Sequence, residues 1–440
     1  MATQRPSNGR AGPPAGPRRM TVLQATFIGV GSMVGAGIFA LLGSAGAVAG
    51  AAVWLSFLIA GLIAALQGYS FAKLGSTYPS GGGILTYLSK GFGEGHVTAI
   101  GAWLFYTAGS IVTAMVAASF GGYTSEAFAG DSPAWATVFS VLLVVVMTGL
   151  NAVGSQAVAR VQSVIVKVVL AILSVFAVVT IANADWGLLS FSGYPGLQQI
   201  IASVALTFFA FLGFGVVTFT ARDLPDPRRQ LPRALYLAVG IATAIYVAVS
   251  LGVFGTLTAE QVVEYGETAI AEAAKPVLGD FGFTLIVVTA IFSTMGAVNA
   301  GLYPSIGMTQ HLASIGLFPT VFSRSAGRVP VGLLVMAGLT IIQLFLLDLN
   351  AIASLGSAVA LIVFSAVTIA HFRVRRETGA NLPVLIVALA TTVVTFVVFC
   401  TTTLVQQPRT AIALVLIIAL AAVLDLAWTG VRARRQRASA

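Results

Sequence analysis

The sequence has very few charged residues: Asp, Glu, Lys and Arg make up 8% of its 440 positions, against about a quarter in soluble globular chains. This scarcity excludes soluble enzymes, nucleic-acid-binding proteins and disordered scaffolds. Cysteine is almost absent as well, and the single Cys400 excludes a disulfide framework. No His, Cys, Asp and Glu residues stand at metal-ligand spacing, so we predict no metal site and no cofactor.

Apolar residues are correspondingly abundant, at 58% of the chain. A membrane-spanning helix takes about 20 apolar residues. The apolar stretches predict an all-α polytopic membrane protein with twelve spans, placed at 21–46, 51–72, 97–122, 134–153, 161–183, 198–221, 233–256, 282–310, 330–347, 350–372, 382–404 and 409–430. A membrane enzyme would need an acid–base or nucleophile constellation inside these spans. The sequence shows none, so we predict no catalytic residues.

The net charge of +9 reflects where the basic residues lie. With the N-terminus inside, every Lys and Arg except Lys167, Lys275 and Arg409 falls on the cytoplasmic side. This asymmetry predicts a protein of the plasma (inner) membrane with both termini in the cytoplasm. The dispersed positive charge argues against nucleic acid as a partner. We interpret residues 1–20 as a disordered basic tail and 431–440 as a second basic tail.

Glycine clusters interrupt the first and the sixth spans. The first contains GVGSMVGAGIF from Gly29, and the sixth contains FFAFLGFGVVTF from Phe208. Such glycines either let helices pack closely or mark broken helices that line a cavity. Their corresponding positions favour two inverted repeats whose first helices are unwound, formed by residues 21–183 and 198–372. Two further helices, within 382–430, would follow the repeats.

Four motifs resemble the amino acid–polyamine–organocation (APC) permease superfamily. They are Gly31 to Phe39; Tyr78 to Gly83; Phe209 to Phe214 with Asp226-Pro227 and Pro232-Arg233-Ala234; and Ser293-Thr294 with Asn299-Ala300 and Gly316 to Pro319. The resemblance covers nearly the whole chain and is closest to proton-coupled, broad-specificity amino acid transporters. It implies a LeuT-like fold and secondary transport by alternating access across the lipid bilayer. Arg222-Asp223 departs from the acidic pair that relatives usually carry there.

A broken helix offers free N–H groups at one end of the break and free carbonyls at the other. We therefore expect a substrate carboxylate at the N–H groups of Ala36 and Gly37, with Gly35 allowing close approach. The ammonium group would meet carbonyls of Met33, Phe209 and Leu212. The resemblance also implies that the Phe209 side chain acts as a gate, although plain core packing would account for it equally simply.

The positions of the acidic residues narrow the range of possible substrates. All lie in loops or at helix ends except Asp425 in the last span, which we place close enough to the cytoplasm to reach water. This favours a neutral amino acid. A polyamine or another organic amine is the alternative.

The coupling ion is left open between proton and sodium, and an exchange mechanism is also possible. Lys167 lies inside the fifth span, where its ammonium could occupy a coupling site or snorkel to the surface. Ser293 and Thr294 in the eighth span could instead ligate sodium. The three histidines, His96, His311 and His371, are expected at cytoplasmic helix ends in a solvated setting.

Overall fold

The protein is built almost entirely from helices, as the composition predicts. The computed structural model describes residues 20–80, 82–130, 132–153 and 156–439, so the predicted N-terminal tail lies outside the described residues apart from Met20. The helices are α1 (Val22–Ala49), α2 (Val53–Thr77), α3 (Ile84–Phe92), α4 (His96–Ala129), α5 (Pro133–Val153), α6 (Gln156–Ala182), α7 (Leu197–Phe208), α8 (Pro227–Phe254), α9 (Ala259–Tyr265), α10 (Ala269–Leu302), α11 (Pro304–Ser314), α12 (Val331–Leu346), α13 (Leu349–Arg373), α14 (Arg375–Thr378), α15 (Leu382–Phe399) and α16 (Pro408–Ser439).

Several irregular segments complete the chain. A 3₁₀ segment, Phe209–Asp223, continues α7, and a π-helical turn, Cys400–Leu404, continues α15. Two short antiparallel strands, β1 (Ser325–Ala326) and β2 (Val329–Pro330), form a hairpin before α12. The sequence analysis missed this hairpin and the short helices α3, α9, α11 and α14.

Within the described residues, ten helical segments are long and apolar enough to cross a membrane. One of them, Val22–Thr77, contains both α1 and α2, which are joined by a turn at Gly50–Ala52. The apolar helix α12 has 16 residues and is shorter than a usual span. The polytopic all-α fold is therefore confirmed, and the count of twelve spans stays a prediction.

Local sequence signals set several helix ends. Thr21 and Thr258 each begin a helix with a capping box, in which their hydroxyls accept hydrogen bonds from the backbone N–H of Gln24 and Gln261. Asp348 caps α13 by accepting a 2.8 Å hydrogen bond from the Ala351 N–H. Asp348 thereby divides α12 from α13.

The predicted eighth span, 282–310, is divided differently in the structure. Helix α10 starts at Ala269 and is kinked at Gly279, whose φ of 63° is a left-handed value that favours glycine. The long part of α10 follows this kink and ends at Leu302, and α11 begins at Pro304. Proline suits the first turn of a helix because its missing N–H would have no partner there.

Helices α2 and α8 pack against each other along a row of glycines on α2. Gly61, Gly68 and Gly75 recur every seven residues, about two helical turns, and therefore share one face. A methyl group on Gly68 would lie 2.6 Å from Cδ2 of Leu235. Small residues of this kind let two helix backbones approach closely in the apolar environment of a membrane.

Helix α1 lies at the centre, in contact with α7, α8, α10 and the 3₁₀ segment. In the most apolar 18-residue window of Leu197–Asp223, 89% is buried inside the protein. The corresponding share for Pro408–Arg432 is 22%. The α7–3₁₀ element is therefore interior, and α16 faces outward for most of its length. This difference places the candidate site among the central elements.

Candidate substrate site

The backbones of α1 and the 3₁₀ segment meet directly. A methyl group on Gly213 would lie 2.6 Å from the carbonyl carbon of Ser32. Closer to the start of α1, the Met20 N–H donates a 2.9 Å hydrogen bond to the Asp223 carbonyl. The glycines of the two predicted motifs are thus brought together, and they serve first to let the two elements touch.

Helix α1 is α-helical from Val22 to Ala49, so the predicted unwinding of the first helix is wrong for this conformation. The physical reason is that the glycines at the predicted break, Gly35 and Gly37, each pack against a neighbour. A methyl group on Gly35 would lie 2.8 Å from the Ser293 carbonyl oxygen, and one on Gly37 would lie 2.6 Å from Cβ of Ala210. Close packing, the alternative interpretation of these glycines, explains their presence here.

The predicted backbone contacts on α1 therefore lie within a continuous helix. Residues Met33, Gly35, Ala36 and Gly37 all have helical backbone, in which each N–H donates to the carbonyl four residues before it. The Met33 side chain is fully buried. For a substrate carboxylate to bind at Ala36 and Gly37, this part of α1 would have to open.

The second predicted break coincides with a change of helix type. The α-helix α7 ends at Phe208, and the 3₁₀ segment begins at Phe209, the predicted gate residue. Runs of 3₁₀ helix longer than three or four residues are uncommon because their hydrogen-bond geometry is poorer, and such runs often mark functional hinges. With three residues per turn, Phe209 and Leu212 share one face of the segment.

Phe209 is buried against α13. A methyl group on Gly356 would lie 2.7 Å from Cδ2 of Phe209 and 3.0 Å from Cγ2 of Ile111. Phe209 itself is 1% exposed, whereas Leu212 is partly buried at the edge of the core. The side chains that meet around Phe209 are uncharged.

Two buried hydroxyl groups on α13 were missed by the sequence analysis. Ser357 follows Gly356 and Ser354 precedes it by two residues; both are fully buried and have no hydrogen-bond partner within the described part of the chain. A buried hydroxyl without a partner is costly, so both are candidates to bind the polar part of a substrate. No sequence signal distinguishes them from the many serines that pack between helices.

A small cavity of about 10 Å³ lies where α1, α6 and α10 meet. This is room for about one water-sized species. Its lining residues are Gly31, Val34, Ile165, Val166, Val169, Leu170 and Ser293. Ser293 therefore faces the cavity. The hydroxyl of the neighbouring Thr294 instead donates a 2.7 Å hydrogen bond to the Ala290 carbonyl.

Lys167 lies outside this cavity. Its side chain is exposed, and its ammonium is 5.3 Å from the centre of the Phe27 ring, a cation–π contact. Val169, two residues further along α6 and about 200° around the helix, lines the cavity instead. Of the three candidate coupling residues, the structure brings only Ser293 to the cavity.

Asp425 and His371 differ from their expected settings. Asp425 is 3% exposed, and its carboxylate lies 2.6 Å from His96 Nδ1 at the start of α4. His371 is fully buried, with its Nε2 2.9 Å from the Thr378 hydroxyl. The expectation that Asp425 reaches water and that His371 is solvated is wrong. The Asp425–His96 pair joins residues 329 positions apart, so sequence spacing gives no sign of it.

The described residues form an apolar helical bundle whose central elements meet backbone to backbone. Comparison with known proteins identifies its kind: the chain belongs to the amino acid permease family, which it matches over residues 20–424. This membership confirms both the resemblance to the APC superfamily and the LeuT-like fold class. The protein is an integral membrane transporter.

Individual relatives are named for different transport activities. The inner membrane transport protein YbaT of Escherichia coli is 32% identical over 363 residues, which cover 82% of this chain and 84% of that protein. The vacuolar cationic amino acid transporter 2 of Arabidopsis thaliana is 29% identical over 80% of this chain and 59% of its own length. The methylthioribose transporter of Bacillus subtilis is 29% identical over 70% and 69%.

Proposed function

We propose that this transporter takes up neutral L-amino acids by alternating access, coupled to protons, at the inner membrane with both termini in the cytoplasm. The observation that carries the proposal is the contact of α1 with the 3₁₀ segment at Gly213 and Ser32. If this contact opens and α1 unwinds at Ala36 and Gly37, backbone N–H and carbonyl groups lose their helical partners and can bind a ligand. A zwitterionic α-amino acid presents one charge for each kind of group.

The uncharged surroundings of Phe209 support a neutral side chain in the substrate. Phe209 meets Gly356 and Ile111, neither of which carries a charge. The buried acid Asp425 lies on the peripheral helix α16, where it is hydrogen-bonded to His96 of α4, and it is not available to a cationic substrate at Phe209. Met33, Gly35, Ala36, Gly37, Phe209 and Leu212 remain the proposed substrate contacts, with Phe209 as the gate.

The direct test is uptake by purified protein in proteoliposomes, measured across a panel of labelled neutral, cationic and acidic amino acids with and without an inward proton gradient. We expect saturable uptake of neutral amino acids that the gradient stimulates. Preferential uptake of a polyamine or of arginine would contradict the substrate assignment. Binding without flux would contradict transport.

Sodium coupling is the second candidate, and the small cavity beside Ser293 is the observation that favours it. A cation there would have Ser293 as a side-chain ligand, while Lys167 would first have to move from the Phe27 ring to reach it. Uptake in the presence and absence of sodium separates the two ions. If Lys167→Ala keeps full proton dependence, Lys167 is not the coupling group. If Ser293→Ala leaves a sodium dependence unchanged, Ser293 is not a ligand.

A further inference from the structure

A second, larger cavity lies on the side of the protein. It is an open groove of about 500 Å³ between α2, α6 and α8. Its walls are Leu58, Gly61, Leu62, Ala65, Ile181, Tyr236, Val239, Gly240, Thr243, Ala244, Val247, Ala248 and Leu251. Glycine and alanine on α2 and α8 leave the space that larger side chains would fill. A methyl group on Gly240 would have nothing within 4 Å.

The groove suits a hydrocarbon chain better than a polar solute. Its one internal hydroxyl, that of Thr243, already donates a 2.8 Å hydrogen bond to the Val239 carbonyl. Tyr236 lies at one end of the groove and Leu251 at the other. At 1.5 Å per residue they are about 22 Å apart along α8, whereas one leaflet of a bilayer has a hydrocarbon depth of about 15 Å. An acyl chain therefore fits within its length.

A positive charge stands at the Tyr236 end of the groove. Arg233 precedes Tyr236 by three residues and Gly240 by seven, so the three share one face of α8. All three residues are exposed, which agrees with their lying on one outward face of α8. Arg233 forms no ion pair with any acid in the part of the chain that the structure describes. Its guanidinium is thus free to bind a phosphate, which it can contact with two hydrogen bonds.

We propose that this groove is a binding site for one anionic phospholipid of the leaflet at the α8 N-terminus. An acyl chain lies along Gly240 and Ala244, and the phosphate binds Arg233, with the Tyr236 hydroxyl at the mouth. The apolar groove and the cationic Arg233 lie on the same helix face. Together they favour a lipid over free phosphate, because free phosphate has no apolar part to bury in the groove. The site is separate from the proposed substrate site.

Native mass spectrometry of the detergent-solubilised full-length protein, titrated with phosphatidylglycerol or phosphatidylcholine of identical acyl chains, tests the proposal. Two variants have matched controls. Gly240→Leu fills the groove, and Gly149→Leu adds the same side chain to α5 at another exposed glycine with nothing within 4 Å. Arg233→Gln removes the phosphate ligand, and Arg228→Gln removes a charge about 140° away on the same helix.

We expect the wild type to bind one phosphatidylglycerol more tightly than phosphatidylcholine. Gly240→Leu should lose this tightest-bound lipid. Arg233→Gln should bind phosphatidylglycerol about fivefold more weakly and no longer prefer it, and both controls should behave as wild type.

Equal binding by wild type and Gly240→Leu would overturn the proposal and leave only general lipid solvation. A dimer that Gly240→Leu disrupts without any change in bound lipid would identify a second copy as the occupant and also overturn it. Because the readout is lipid bound, it is independent of whether the transport proposal holds.

Discussion

Two adjacent phenylalanines, Phe208 and Phe209, show how single residues at the site divide between packing and proposed function. Both are buried. The Phe208 ring packs edge-on against Phe364 of α13 at 6.0 Å, whereas Phe209 begins the 3₁₀ segment and covers Gly356. If Phe209 is the gate, only its substitution should alter substrate binding beyond its effect on stability.

We predict that Phe209→Leu raises KM for the transported amino acid about tenfold, because the smaller side chain no longer closes over the site. Phe208→Leu is the matched control. Both should lower stability by about 1 kcal/mol. Initial uptake rates and thermal unfolding of both variants measure the two effects. Equal changes in KM for the two variants would show that Phe209 is a packing residue.

Tyr78 follows the last residue of α2 and makes a contact outside the spans. Its hydroxyl donates a hydrogen bond to the Glu377 carboxylate, and Lys90 lies 5.4 Å from its ring centre. Burial, followed by the hydrogen bond and charge of Glu377, raises the pKa of Tyr78 from 10.0 to about 12. A pKa raised on folding means that the folded state favours the neutral phenol.

The stabilising contribution of Tyr78 should therefore be fully present below pH 10 and be lost as the pH rises through about 12. We predict that wild type is more stable than Tyr78→Phe at neutral pH and that the difference disappears across this alkaline range. Thermal unfolding of both proteins at a series of pH values measures it. A constant difference would mean that the phenol does not titrate in this contact.

At the scale of helices, α16 is attached to the rest of the protein through its C-terminal half. Asp425 pairs with His96 of α4, and the Trp428 indole N–H donates a 2.9 Å hydrogen bond to the Gly316 carbonyl after α11. Asp425 is buried while the His96 side chain is 58% exposed. Removing His96 would leave a buried carboxylate without its partner, which is costly.

A double-mutant cycle tests this attachment. We predict that His96→Ala destabilises the wild-type background by about 1–3 kcal/mol and has little effect in Asp425→Leu, whose apolar side chain leaves no buried polar group in need of a partner. The shift in thermal unfolding midpoint is the measurement. Additive losses in the double variant would show that the two side chains contribute independently.

Hydropathy predicted the long elements well because a membrane span must be apolar over its whole length. The predicted and observed bounds of the second-to-last span, 382–404, coincide when the π-helical turn is included. The short helices α3 and α9 were missed because nine and seven residues with several polar positions do not stand out from loops.

The glycine motifs show the limit of sequence reasoning more clearly. The same residues are compatible with a broken helix and with close packing, and what decides is the neighbour. For Gly35 that neighbour is the Ser293 backbone and for Gly37 it is Ala210. These contacts come from elements more than a hundred residues away, so the pattern within α1 could predict where the elements meet but not the helical state of α1 there.

Considered as a whole, the molecule is closed around α1 on both sides of the site. Towards the N-terminal end of α1, a methyl group on Gly29 would lie 3.0 Å from Cβ of Ala238. Towards its C-terminal end, one on Gly43 would lie 2.6 Å from the Gly266 carbonyl oxygen in the segment between α9 and α10. Under the alternating access that we propose, each of these two contacts would open in turn, with the substrate held between them.

The central claim is that the substrate passes where α1 meets α10 and the 3₁₀ segment. Counterflow exchange of the best neutral amino acid in proteoliposomes tests it most directly, with Gly35→Ala compared against Gly149→Ala. A methyl group at Gly35 enters the contact with Ser293, whereas one at Gly149 meets open space. We predict wild-type exchange for Gly149→Ala and at least a tenfold loss for Gly35→Ala in protein that remains monodisperse, about 1.4 kcal/mol. Wild-type exchange by a folded Gly35→Ala protein would contradict the account.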